Sequence, residues 1–326
     1  MAGLLISADF ERRNRRELDE IEARSGVPFE RITLPEDPDA RLGDADCARV
    51  EMAHFSGDLF PELSSSFFSA MHRAGSLRWF HTFSAGTDHP IFRVFTERNV
   101  ALTNSSGANA LAIAQTAITG LLMLARGFPH WLDAQARGAW ELQPTVPRSL
   151  DESTLVIVGL GAIGGEIARL GQALGLTVIG VRRSPVRSSD PVDECVTPDE
   201  LPRVLPRADF LALACPLTDA TRQLIDASAL ALLPAGARVL NIARGAVIDE
   251  SALIEALRSG SLGGAYLDVF ATEPLPAESP LWSLPNVILT PHNSAVSSGQ
   301  RERESGYFLR NLLNWLRKED LENRIE

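Results

Sequence analysis

Residues Thr154–Leu170 read TLVIVGLGAIGGEIARL. Leu155–Val158 form a short apolar run rich in β-branched residues, the pattern of a buried parallel strand. Gly159, Gly161 and Gly164 follow in GxGxxG spacing. Ile163, Ile167, Leu170 and Leu174 then recur at helical spacing, and Gly175 is a plausible stop. A strand closed by this turn and followed by a helix is the context in which the motif binds a dinucleotide. Gly159 permits the tight turn. Gly161 lets the backbone approach a pyrophosphate, and Gly164 lets helix and strand pack closely. The helix N-terminus offers free N–H groups and the positive end of its dipole to the phosphates.

Outward from this turn the alternation continues. Short apolar runs occur at Leu155–Val158, Thr177–Val181, Phe210–Ala214, Val239–Ile242, Ala265–Val269 and Val287–Leu289. Helical signals separate several of them. Thr197-Pro198-Asp199-Glu200 reads as an N-cap, a proline in the first turn and a capping-box glutamate. Asp249 can cap a helix carrying Leu253, Ile254 and Leu257 and ending near Gly260. Strand–helix–strand units in series predict an α/β fold with a doubly wound parallel sheet. The first hundred residues repeat the pattern more loosely, with strands at Leu4–Ser7, Glu51–Phe55, Leu77–Phe83 and Val100–Thr103, and a helix from Phe10 to Ala23. This predicts a second, smaller α/β domain, with a long helix from Gly107 crossing between the two. Pro/Ser/Arg-rich residues 182–191 are a loop candidate.

A chain of 326 residues is long enough for two such domains. Its net charge of −11 argues against general nucleic-acid or anionic-membrane binding. Cys47, Cys195 and Cys215 are scattered and form no CxxC pair, so no metal site and no disulfide framework are expected. A reducing, cytoplasmic location fits this cysteine usage. The opening MAGLLISADFERRNRRELDE charges up too early for a secretory signal. Gly107–Arg126 is apolar but carries Asn109 and Gln115, and reads as a buried helix rather than a membrane span.

The second strand of the dinucleotide unit bears on cofactor choice. An NAD site usually places Asp or Glu about 20 residues past the glycines, on the ribose 2′-hydroxyl. Here that place holds Val181-Arg182-Arg183-Ser184, with no carboxylate. Two guanidiniums and a hydroxyl suit a 2′-phosphate. NADP(H) is therefore the expected cofactor, with NAD(H) as the alternative.

Three segments carry further chemistry: NIARGAVIDE (Asn241–Glu250), LDVFATEP (Leu267–Pro274) and LTPHNSA (Leu289–Ala295). Each lies at or just past the end of a predicted parallel strand, where ligands of such sheets bind. They supply Arg244, Glu273 and His292. Reducing a 2-keto acid needs these types. A cation holds the carboxylate and polarises the ketone. A proton donor near neutrality completes the hydroxyl. A carboxylate behind the imidazole fixes its tautomer and favours its charged form.

With these segments the sequence resembles the D-isomer-specific 2-hydroxyacid dehydrogenase family, from about Leu77 to Ala295. The resemblance implies two Rossmann- or flavodoxin-like domains. A dinucleotide-binding domain, 104–294, would be inserted into a discontinuous substrate domain, 1–103 plus 295–326, on which a helix over Tyr307–Leu316 would pack. It implies catalytic roles for Arg244, Glu273 and His292. It also implies a substrate loop over Phe83–Asp88 in which Ser84, Ala85 and Gly86 bind the substrate carboxylate, and a hinge at Leu102–Ser105. Asp268 would lie near the nicotinamide amide and Cys215-Pro216 beside the adenosine ribose. Ala162, Ile163, Ile242 and Ala243 complete the expected cofactor set with Gly159, Gly161, Gly164, Arg182, Arg183 and Ser184.

The implied reaction is hydride transfer between NADPH and a small 2-keto acid of the glyoxylate or hydroxypyruvate kind, giving a D-2-hydroxy acid. The expected assembly is a homodimer, with Trp131 and Trp140 in the interface segment. Gln115, Thr87 and Asn293 depart from the family's usual residues, and the last two bear on substrate preference. Two alternatives are a nicotinamide-sensing corepressor-like protein and a family enzyme acting on 3-phosphoglycerate or phosphite. The remaining histidines, His54, His72, His81, His89 and His130, have no motif around them and are expected to be structural or surface residues.

Overall fold

The computed structural model describes residues 1–142, 149–185, 187 and 190–325. The strands are β1 (Ala2–Ser7), β2 (Phe29–Leu34), β3 (Val50–Phe55), β4 (Trp79–Thr82), β5 (Ala101–Asn104), β6 (Thr154–Val158), β7 (Thr177–Val181), β8 (Glu194–Val196), β9 (Phe210–Leu213), β10 (Ala237–Asn241), β11 (Leu262–Leu267), β12 (Val287–Leu289) and β13 (Arg324–Ile325). The α-helices are α1 (Ala8–Arg13), α2 (Arg15–Ser25), α3 (Asp44–Arg49), α4 (Ser64–Arg73), α5 (Pro90–Glu97), α6 (Ala110–Arg126), α7 (Phe128–Ala136), α8 (Ala162–Ala173), α9 (Leu201–Val204), α10 (Ala227–Ala231), α11 (Glu250–Arg258) and α12 (Gln300–Arg317). The chain divides into two compact units, Met1–Asn109 with Ser298–Glu326, and Ala110–Ser297. Both divisions fall later than 103/104 and 294/295. Residues 104–109 stay with the first unit because Asn323 donates to the Asn104 and Ser106 carbonyls and Asn109 to Glu304.

The first unit is a six-stranded sheet in the order β13-β5-β4-β3-β1-β2, parallel except for β13 against β5. Alternation brings Leu4 and Ile6 to one face, where Phe10, Trp79, Phe308, Leu312 and Leu316 cover them. The C-terminal helix α12 thus packs on this sheet, with Phe308 stacked on Trp79 at 5.5 Å. The helix predicted over Phe10–Ala23 is two helices, broken at Asn14. There both the backbone N–H and the side-chain amide of Asn14 donate to the Phe10 carbonyl, and the side chain competes with the helical ladder.

The second unit is a seven-stranded, wholly parallel sheet in the order β12-β11-β10-β9-β6-β7-β8. Helix α6 begins at Ala110 rather than Gly107 and lies against this sheet, burying Ala114, Ala117 and Leu121 completely. Gly120 makes the approach close, since a Cβ there would sit 2.4 Å from Tyr266 Cγ. No single helix among the described residues is long and apolar enough to cross a membrane. The Thr197–Glu200 capping box is present, and the Asp249 side chain caps α11 by accepting from the Ala252 N–H. Of the loop expected at 182–191, residues 186, 188 and 189 lie outside the described residues.

Candidate active site

Every segment singled out in the second unit lies at or just beyond the carboxyl end of a strand. After β6 the chain turns at Gly159, whose φ of +101° is the left-handed conformation that glycine tolerates. Its N–H donates to the Val181 carbonyl at 2.9 Å. Gly161 caps α8 without a side chain, and a Cβ there would meet nothing within 4 Å. Gly164 is the opposite case. A Cβ would stand 1.9 Å from the Gly159 carbonyl oxygen, so only glycine lets helix and turn close up. The turn therefore leaves open backbone at its middle and a helix N-terminus beside Ala162 and Ile163, which fits a pyrophosphate. Cys215, 7% exposed, backs this turn, with its Cα 2.7 Å from where a Gly159 Cβ would be. Burial pushes its thiol up to about 11, so it is not a thiolate nucleophile at neutral pH.

At the end of β7 the Arg182 guanidinium donates to Ser184 Oγ from Nε and Nη2, at 3.1 and 2.7 Å. Its Nη1 donates to Asp190 Oδ2 at 2.7 Å. Arg183 and Ser184 are exposed. The sequence shows no carboxylate next to Arg182, but the loop brings one back. Asp190 was legible only as part of a loop, because a contact closed by chain reversal leaves no periodic trace.

The hydride-transfer candidates gather at β10, β11 and β12. Ile242 and Ala243 follow β10 and are buried. Asn241 fixes the next turn, accepting from the Ala243 N–H and donating to the Arg244 carbonyl. Gly245 lets that turn press on Phe270, whose backbone carbon would lie 1.9 Å from a Gly245 Cβ. Arg244 is half-buried, and its Nη1 donates to the Ala243 carbonyl at 2.8 Å.

Asp268, 1% exposed, organises the loop after β12. Its Oδ1 accepts from Thr290 Oγ1 at 2.6 Å and from the Asn293 N–H at 3.1 Å, and its Oδ2 from the Ser294 N–H. The Asp268 carbonyl accepts from the His292 N–H. His292 thereby sits at a φ of +51°, uncommon for a side chain of its size. Tyr266 supports Thr290 from below at 2.8 Å, its hydroxyl pushed up to about 12 by burial. The supporting roles of Asn241, Tyr266 and Thr290 in this scaffold leave no mark in the sequence beyond the segments that hold two of them, and only the hydrogen bonds reveal them.

His292 Nδ1 is 2.6 Å from Glu273 Oε2, and Glu273 Oε1 accepts from the Phe270 N–H. The carboxylate thus fixes Nδ1 as the protonated nitrogen of the ring. The His292 side chain is 48% exposed, and among the described residues its Nε2 has no partner. The pair can present a proton at Nε2 to a bound carbonyl oxygen. Arg244, Glu273 and His292 all belong to this unit.

The Ser84–Gly86 loop belongs to the other unit. Its Ala85 and Gly86 carbonyls accept from Asn104 Nδ2 and Ser84 Oγ. Among the described residues the Ala85 and Gly86 N–H groups have no acceptor, which fits an anion. No group of His, Cys, Asp or Glu side chains among the described residues is placed to hold a metal ion.

A profile of the D-isomer specific 2-hydroxyacid dehydrogenase NAD-binding domain matches residues 118–294. The chain is 36% identical over 235 residues to (S)-sulfolactate dehydrogenase of Chromohalobacter salexigens, covering 72% of this chain and 75% of the relative. It is 31% identical over 257 residues to D-3-phosphoglycerate dehydrogenase of Methanocaldococcus jannaschii, covering 78% of this chain but only 48% of that longer relative. Among solved structures, the NADPH-dependent glyoxylate/hydroxypyruvate reductase from Sinorhizobium meliloti in complex with NADP and sulfate is similar at a TM-score of 0.79. That match has 27% identity and covers 100% of this chain and 98% of the other. The profile covers more than half of the chain and the sulfolactate dehydrogenase likeness more than two thirds of it, and the chain belongs to the D-isomer specific 2-hydroxyacid dehydrogenase family.

Proposed function

We propose that the chain reduces a small 2-keto acid of the glyoxylate or hydroxypyruvate kind to a D-2-hydroxy acid, with NADPH preferred over NADH. The observation that carries the reading is the hydrogen-bonded Glu273–His292 pair in the same unit as Arg244 and the Gly159–Gly164 turn. In this reading Gly159, Gly161, Ala162, Ile163 and Gly164 hold the pyrophosphate, and Cys215, Pro216, Ile242, Ala243 and Asp268 line the remainder of the cofactor. Arg182, Arg183 and Ser184 take the 2′-phosphate. The bound nicotinamide supplies the hydride. Arg244 binds the substrate carboxylate and polarises the keto group. The resemblance gives the Ser84, Ala85 and Gly86 loop the same carboxylate to bind. His292, protonated and braced by Glu273, gives the carbonyl oxygen its proton from Nε2.

A cytoplasmic homodimer is the proposed setting. Exposed Phe128, Trp131, Leu132, Trp140 and Leu142 in the second unit favour self-association, and three free cysteines suit a reducing compartment. The test is oxidation of NADPH and NADH, in parallel, against glyoxylate, hydroxypyruvate, pyruvate, phenylpyruvate and a branched 2-keto acid. Turnover of the smaller acids with NADPH favoured is expected. Turnover favouring NADH refutes the cofactor preference, and turnover confined to the bulky acids refutes the substrate class.

A further inference from the structure

The carboxylate that meets Arg182 has no place in the reading above. Asp190 and Arg182 are joined at 2.7 Å, with side chains only 15% and 11% exposed. Asp190 is anchored independently of Arg182. Its Oδ2 accepts from the Arg187 N–H at 2.8 Å, and its own N–H donates to the Arg187 carbonyl at 3.0 Å. That backbone bond, reinforced by the Arg182 and Arg187 charges, keeps the carboxyl below its usual range and therefore ionised at neutral pH. Among the described residues both donors reach Oδ2 and none reaches Oδ1. Oδ1 remains as an acceptor at the strand end, where a dinucleotide's adenosine ribose lies.

A 2′-phosphate and a 2′-hydroxyl place opposite demands on this arrangement. The phosphate seeks the guanidinium and is repelled by a fixed carboxylate on the same group. The hydroxyl seeks an acceptor, and a carboxylate at this end of the site is what holds it in NAD-binding folds. With Arg182 already neutralised, the exposed Arg183 and Arg187 are the cations left to favour the phosphate.

We infer that Asp190 is a specificity-determining residue, which accepts the ribose 2′-hydroxyl of NADH at Oδ1 and competes with the 2′-phosphate of NADPH for Arg182. The inference rests on the proposed placement of the adenosine end at Arg182–Ser184. The chain thereby carries its own brake on NADPH selectivity.

Asp190→Asn keeps the size and the acceptor for the Arg187 N–H while removing the charge. Dissociation constants for NADPH and NADH, measured by fluorescence titration without substrate, read the effect directly. NADPH is expected to bind about tenfold tighter to the variant, the scale of one hydrogen bond to a charged group, and NADH only about threefold weaker, because the amide oxygen still accepts. Asp190→Ser, tested alongside, is expected to move both constants in the same directions. An unchanged ratio, or weaker NADPH binding in both variants, overturns the inference and leaves Asp190 as a mere positioner of Arg182. A wild-type chain with no NADPH preference that acquires one on Asp190→Asn upholds the inference while refuting the proposed preference. A wild-type preference that neither variant increases does the reverse.

Discussion

His81 and His292 lie at the carboxyl ends of parallel strands in different units, and their surroundings differ in every respect. His81 is completely buried, with Nδ1 2.8 Å from Thr103 Oγ1 and Nε2 3.0 Å from Ser105 Oγ. Burial holds it well below the usual histidine range, so it stays neutral. His54, beside it, is 1% exposed, stacks on Phe308 at 4.1 Å and is pushed down to about 3. His292 is about half exposed, with one nitrogen on a carboxylate and the other without a partner among the described residues. A ring with both nitrogens committed to hydroxyls braces strands. A ring with one nitrogen on a carboxylate and the other accessible can pass a proton. Chemistry here follows from what surrounds each ring, since the residue type is the same.

The comparison breaks most easily at His292. His292→Ala is expected to lower kcat about 10³-fold while the dissociation constant of NADPH changes less than about twofold, as steady-state kinetics and fluorescence titration would read. Glu273→Gln is expected to cost less, about tenfold in kcat, because the ring stays in place without its charge partner. Unchanged kcat in the alanine variant would put His292 in the same class as His81.

A smaller effect sharpens the other side. The unfolded chain protonates His54 near pH 6.5, whereas the folded chain resists until about pH 3. Stability is therefore full above about pH 6.5 and is lost as pH falls toward 3. Between pH 7 and pH 5 this one site costs about 2 kcal/mol. His54→Phe retains the stack on Phe308 and should remove that part of the acid sensitivity, visible as a smaller drop in urea midpoint between the two pH values. An equal drop in the variant would show that the buried histidine does not govern acid unfolding.

Much of the second unit could be read in advance, because fully buried parallel strands are short apolar runs and the glycine turn has a fixed spacing. Strands β2, β8 and β13 were not legible. FERITL interleaves charge with Phe29, Ile32 and Leu34 at a sheet edge, and the other two are three and two residues long. The Asn14 break was hidden because an asparagine inside a helical pattern ends the helix only through its side chain. At the site, Arg244, Glu273 and His292 stood out because each follows a strand. Asp190 did not, because its partner is reached by a loop returning on itself.

The most direct test of the central claim traces the hydride. The wild-type chain, given NADPH deuterated at both C4 positions of the nicotinamide and either glyoxylate or hydroxypyruvate, is expected to form a 2-hydroxy acid with one deuterium at C2. With hydroxypyruvate the product should have the D configuration, and mass spectrometry and chiral separation would read both. A product lacking the label, or no hydroxy acid from either keto acid while NADPH binds, would contradict the account.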